Sequence, residues 1–132
     1  MNKQQNTIQF SKNKRQLLYQ TSVHFNIYNR CVDNKGLPAF RIGENACAIG
    51  RELTNLEAKK LDKTNCSVNN KEVYYLLPVR LRNMGLNFLY DIQILHDRKK
   101  NWNENGLSKI GEENIKKICE KYYFDRETLK YY

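Results

Sequence analysis

The sequence predicts a mainly helical α+β fold, one domain over residues 1–132 with a central buried helix and a small β-hairpin. Three observations lead there. The stretch Leu86 to Trp102, LNFLYDIQILHDRKKNW, is the most apolar in the chain, and at about 100° per residue its Leu, Ile, Phe and Tyr side chains point in nearly every direction. Segments on either side of it place apolar residues three and four apart, the spacing of helices with one buried face. Between residues 31 and 53 the pattern changes to short apolar pieces broken by Asp33-Asn34-Lys35-Gly36 and Gly43, which is turn chemistry and leaves room only for a small sheet.

Taken in order, Met1 to Phe10 shows little periodicity and is expected as a mobile arm or a short extended segment. Ser11 is a candidate cap for a helix carrying Leu17, Leu18, Thr21, Phe25 and Tyr28, which should end near Asn29. Cys31-Val32 and Ala39-Phe40-Arg41-Ile42 read as the two strands of the hairpin. After Gly43, Asn45 can cap a short helix from Ala46 to Leu53, in which Gly50 would let a backbone or ligand approach closely. Asn55 can start another helix through Leu61. Residues 62–72 are polar and read as a loop. Val73 to Leu77 fits either a strand or a helix start, and a short helix from Pro78 to Asn83 should stop at Gly85. The central helix, Leu86 to Arg98, is followed by a turn at Asn103-Glu104-Asn105-Gly106. Ser108 then caps a last helix bearing Ile115, Ile118, Cys119, Tyr122 and Tyr123.

The chain has 132 residues and 23 Lys and Arg against 14 Asp and Glu, a net charge of +9. The excess is front-loaded: residues 1–30 hold Lys3, Lys12, Lys14, Arg15 and Arg30 with no acid, whereas residues 111–132 balance. A positive surface of this kind steers anionic partners toward it, and it also keeps a lysine-rich chain in solution. The first ten residues are polar, with no apolar core or cleavage site of a signal peptide, and no run approaches the roughly 18 apolar residues of a membrane span. The expected location is therefore the cytoplasm, with no membrane partner. The four cysteines, Cys31, Cys47, Cys66 and Cys119, are widely spaced and include no metal-binding pair, so reduced, buried thiols are expected, with no metal and no cofactor. The glycines at 43 and 50 match neither a phosphate loop nor a dinucleotide fingerprint.

Within the central helix, Gln93, His96 and Asp97 share about 100° of arc, and Trp102 follows closely. Such a cluster either lines a pocket or forms a satisfied polar network in the core. His96 and Asp97, adjacent in sequence, diverge by about 100° on a helix, so a direct imidazole–carboxylate pair between them is not expected.

The residues Cys31, Gly36, Arg41, Cys47-Ala48-Ile49-Gly50, Leu53, Gln93, His96-Asp97 and Trp102 together resemble a family of small phage and bacterial proteins. In that family a Cys-containing extended segment leads through a glycine turn into a Cys-Ala-x-Gly element, and a later helix carries Gln, His-Asp and Trp. The chain departs from the pattern where Phe40-Arg41 arrives late and where Arg51-Glu52-Leu53-Thr54 runs on without a proline. The family carries no assigned activity, so the resemblance implies a fold and a phage-like setting.

Three functional classes follow. The first is a binding protein that sequesters a small anionic ligand or blocks a host protein, with Gln93, His96, Asp97, Trp102, Arg41 and Gly50 as the binding set. The second binds nucleic acid through Lys12, Lys14, Arg15, Arg80, Arg82, Arg98, Lys99 and Lys100, although no helix-turn-helix, zinc-finger or RNA-binding signature accompanies them. The third is an enzyme with Cys47 or Cys31 as nucleophile, His96 as base and Asp97 as orienter. The sequence favours the first.

Overall fold

The computed structural model describes residues 10–30, 41–42, 45–62 and 71–131. The amino-terminal arm, the strand at Cys31-Val32, the turn at 33–36 and Cys66 lie outside the described residues, as do Ala39 and Phe40. What is described is a mainly helical α+β structure. In chain order it comprises α1 (Lys14–His24), β1 (Arg41–Ile42), β2 (Asn45–Ala46), α2 (Asn55–Asp62), α3 (Lys71–Leu76), α4 (Val79–Arg82), α5 (Leu86–Asp97), β3 (Trp102–Asn103), β4 (Gly106–Leu107) and α6 (Lys109–Lys121). Single 3-10 turns stand at Gly50–Glu52, Lys99–Asn101 and Leu129–Tyr131.

The central helix is α5. Phe88, Leu89, Ile92 and Leu95 are buried along it together with Gln93 and His96, because its apolar residues do not confine themselves to one stripe. Gly85 precedes it at φ 92°, a left-handed backbone that suits glycine and turns the chain out of α4. Helix α1 lies beside α5 in the same direction. Its first turn brings the Lys14 ammonium to 5.8 Å from the Phe88 ring, and Phe25, just past its end, meets His96 edge-on at 4.6 Å. Helix α6 runs the other way. The Lys121 ammonium and the Tyr122 hydroxyl near its end both bond Asp91 at 2.8 and 2.6 Å, whereas Asn114 in its first half bonds Asn101 beyond the far end of α5. Leu17, Leu18, Leu89, Ile92, Ile115, Cys119 and Leu129 join one buried cluster, which extends through Ala58, Leu61, Val73, Leu77 and Leu81 into α2, α3 and α4.

Several elements begin or end elsewhere than local pattern predicts. Ser11 does not cap α1. Asn13 does, accepting from the Gln16 amide, because Ser11 is buried against Glu52, its amide and hydroxyl bonding the two carboxylate oxygens at 2.6 and 3.0 Å. The helix stops at His24 and not near Asn29. Asn26 accepts from the Tyr28 and Asn29 amides while Asn29 accepts from the Asn26 amide, and these side-chain bonds replace helical ones.

Arg41-Ile42, the end of the second expected strand, is a strand, and among the described residues its partner is Asn45-Ala46. Arg41 faces Ala46 and Ile42 faces Asn45, so Asn45 is a strand residue and not a cap. The helix expected over Ala46 to Leu53 shrinks to one 3-10 turn, since Cys47, Ala48, Ile49 and Leu53 are all buried and a regular helix would turn part of that run outward. Thr54 caps α2 in place of Asn55, through reciprocal bonds with Glu57 of the capping-box kind. Residues 71–76, expected partly as loop, are helical. A second two-stranded ladder pairs Trp102 with Leu107 and Asn103 with Gly106, closing the turn expected at 103–106.

Ser108 caps α6 as expected, its hydroxyl accepting from the Gly111 amide at 3.0 Å and donating to the Lys100 carbonyl. Replacing Ser108 by alanine removes both bonds and should cost about 1 kcal/mol or slightly more, read as a lower urea midpoint.

Candidate functional site

The C-terminal end of α5 gathers most of the residues that the sequence singles out. A helix ends with four carbonyls lacking intrahelical partners, and a buried end must find donors for them. Here Trp102 supplies one, its indole N–H lying 3.0 Å from the His96 carbonyl and 3.2 Å from that of Leu95. Asn101 donates to the Leu95 carbonyl at 3.0 Å, and the Arg30 guanidinium donates to the Asp97 carbonyl at 2.7 Å. The 3-10 turn at Lys99–Asn101 folds the chain back far enough for these side chains to reach the helix end.

His96 is wholly buried and its Nδ1 lies 2.7 Å from an Asp97 carboxylate oxygen. The expected divergence of these neighbours is thus overturned. Asp97 is the last residue of the helix and the chain becomes extended at Arg98, so the two neighbouring side chains meet at the helix end. Phe25 stands edge-on to both His96 and Trp102, at 4.6 and 5.9 Å.

Gln93 is buried at 7% exposure and Trp102 at 3%. Gln93, His96 and Trp102 are thus largely withdrawn from solvent beside the Phe25 ring, while the Asp97 side chain keeps 22% of its surface exposed. Gly50 is also buried, its amide donating to the Cys47 sulfur at 3.2 Å. Of Arg41 only the backbone is described, in β1.

Cys47 is buried at 2% exposure, and Cys31 lies outside the described residues. Among the described residues no group of three His, Cys, Asp or Glu is placed to hold a metal ion, and no helix is long and apolar enough to cross a membrane. Burial pushes the Cys119 thiol up, which disfavours the thiolate at neutral pH. Burial, then the neighbouring charges of Arg51 and His96, hold His24 below the usual imidazole range.

The basic set divides. Lys14 and Arg15 lie over aromatic rings, Lys14 at 5.5 Å from Tyr122 and Arg15 at 5.2 Å from Phe124, and Lys12 is exposed beside them. Arg80 pairs with Glu57 at 2.8 Å, donates to the Glu52 carbonyl and stacks on Phe10 at 4.2 Å. It consequently holds α4 to α2 more than it presents charge, and its hydrogen bond keeps the Glu57 carboxyl below the usual range. Arg82 is half-buried on the same short helix. Arg98, Lys99 and Lys100 project from the opposite end of α5 to Lys14, and the 12 residues of that helix span roughly 18 Å.

Sequence reasoning passed over Arg30, Asn101 and Phe25. Asn101 beside Trp102 was the only local signal, and the others reach the site from α1 and beyond, which no spacing reveals. Comparison with protein-family models, curated proteins and solved structures finds no match for this chain.

Proposed function

We propose that the protein acts by binding and not by turnover, as a phage-like accessory protein that blocks a host protein by engaging an acidic patch on it. One observation carries this reading. Arg98, Lys99 and Lys100 are all exposed, and none joins an ion pair among the described residues, yet the backbone that bears them is held firmly. Arg98 donates to the Ile94 carbonyl, its own carbonyl accepts from Asn101, and the Lys100 carbonyl accepts from Ser108. Cations here already complement the negative end of the helix dipole. Three together on an ordered turn also form a compact electropositive corner, which favours a localised acidic surface over the extended track that a nucleic acid presents. In this reading Gln93, His96, Asp97 and Trp102 stiffen the corner and touch no partner. The phage-like setting rests on the resemblance carried by Cys47-Ala48-Ile49-Gly50 and the Gln93 to Trp102 segment.

The test changes Arg98, Lys99 and Lys100 to serine together and measures binding of an oligoglutamate peptide and of a single-stranded oligonucleotide of equal charge at low salt. The peptide should bind, and the triple variant should weaken it about tenfold while still unfolding cooperatively, its melting temperature lowered only by the lost interaction with the helix dipole. Tighter binding of the oligonucleotide, with loss when Lys12, Lys14 and Arg15 are neutralised, would transfer the function to nucleic acid. Absence of binding by both probes removes the reading.

A further inference from the structure

We infer that a cleft between α1, α6 and the C-terminal segment binds a small zwitterion that joins a dianionic group to an ammonium, as phosphoserine does. The cleft holds about 340 Å³ and is lined by Tyr19, Glu112, Lys116, Arg126, Glu127 and Lys130. That volume is at the small end of ligand sites. It shares no residue with the Arg98 to Lys100 corner.

The lining is a set of charges of which only one pair is spent. Arg126 and Glu112 form a two-point pair, Nε to one carboxylate oxygen at 2.7 Å and Nη2 to the other at 3.0 Å. This fixes the plane of the guanidinium and leaves Nη1 without a hydrogen bond among the described residues, so a donor is held in place before any ligand arrives. Lys116 and Lys130 join no ion pair among the described residues, and neither does Glu127. The Lys130 ammonium stands 5.1 Å above the Tyr131 ring, a contact that holds the side chain without neutralising it. The Tyr19 hydroxyl makes no hydrogen bond among the described residues either, so it adds a neutral donor or acceptor.

The uncommitted groups are thus two ammoniums and one edge of a guanidinium facing a single carboxylate. The phosphate and carboxylate of phosphoserine satisfy the first three between them, because phosphate and carboxylate oxygens accept several charge-assisted bonds at once. The exposed carboxylate of Glu127 repels a bare anion and favours a ligand that also brings a positive group. A neutral ligand would leave Lys116, Lys130 and Glu127 without a charged partner, and a simple cation would face the two uncommitted ammoniums.

The test is calorimetric titration of the full chain with phosphoserine, inorganic phosphate and serine. Phosphoserine should bind about tenfold more tightly than inorganic phosphate, and serine should show no heat of binding. Changing Lys116 and Lys130 together to alanine should weaken phosphoserine about tenfold or more at an unchanged melting temperature. Glu127→Gln should bring phosphoserine down to the affinity of phosphate. Equal affinity for phosphoserine and phosphate, binding that survives the double lysine change, or no heat from phosphoserine overturns the assignment. None of these results bears on the Arg98 to Lys100 corner, which the serine triple variant tests separately.

Discussion

Trp102→Ala is expected to destabilise the fold by about 3–5 kcal/mol, measured as the shift in the chemical-denaturation midpoint. The indole is 3% exposed, so its removal leaves a large cavity beside Phe25. It also leaves the His96 carbonyl without the indole donor that reaches it at 3.0 Å, and an unsatisfied buried acceptor adds roughly 1–3 kcal/mol to the cost of lost packing. The two contributions separate in Trp102→Phe, which keeps most of the apolar volume and loses only the donor, and which should therefore sit between the wild type and the alanine variant. A cost below about 1 kcal/mol for the alanine change would show that the ring does not close the end of α5. Binding lost with stability intact would instead return Trp102 to the lining of a pocket.

Gly111→Ala should be equally damaging, by at least about 3 kcal/mol, and its sign discriminates between local and tertiary control. Gly111 sits in the first turn of α6, where alanine is normally favoured over glycine by up to about 1 kcal/mol. The backbone there is pressed against the 3-10 turn at Lys99–Asn101. A Cβ would overlap the Asn101 carbonyl oxygen and come within 2.8 Å of the Leu107 side chain. Neither the backbone turn nor the helix can yield without breaking the bonds that join them, from the Ser108 amide to the Asn101 carbonyl and from Asn114 to the Asn101 side chain. Thermal unfolding of the variant reads the outcome directly. A higher melting temperature would mean that α6 does not approach the turn this closely.

Both substitutions act on the junction where α5 ends and α6 begins, and the candidate binding corner is built on it. The rigid turn under Arg98, Lys99 and Lys100 owes its shape to Trp102, Asn101 and Ser108 rather than to the cations themselves. A loss of binding on changing Trp102 must therefore be read against its loss of stability. The serine triple variant avoids that ambiguity, because its side chains are exposed.

Elements whose signals are local were legible in the sequence. The continuous apolar run of α5, the Ser108 cap with its following 3.6-residue periodicity in α6, and the turn at Asn103 to Gly106 each depend on residues within a few positions of one another. The mainly helical α+β class follows from these alone, whereas the sequence left open whether Gln93, His96 and Trp102 line a pocket or join the core. What the sequence did not contain is which residues a side chain meets across the fold. Ser11 has the chemistry of a helix cap, yet it spends its amide and hydroxyl on Glu52, 41 residues away. Phe25 looks like one more residue of an amphipathic helix, yet it leaves the helix to wall His96 and Trp102. Lys116 and Glu112 are visible as neighbours on one helix face, but the cleft exists only because Arg126, Glu127 and Lys130 fold back beside them. The difference has one physical cause. Periodicity and capping are properties of adjacent residues and survive in the isolated segment, whereas closure of a helix end, overlap at a glycine and convergence of charges depend on distances that packing alone sets.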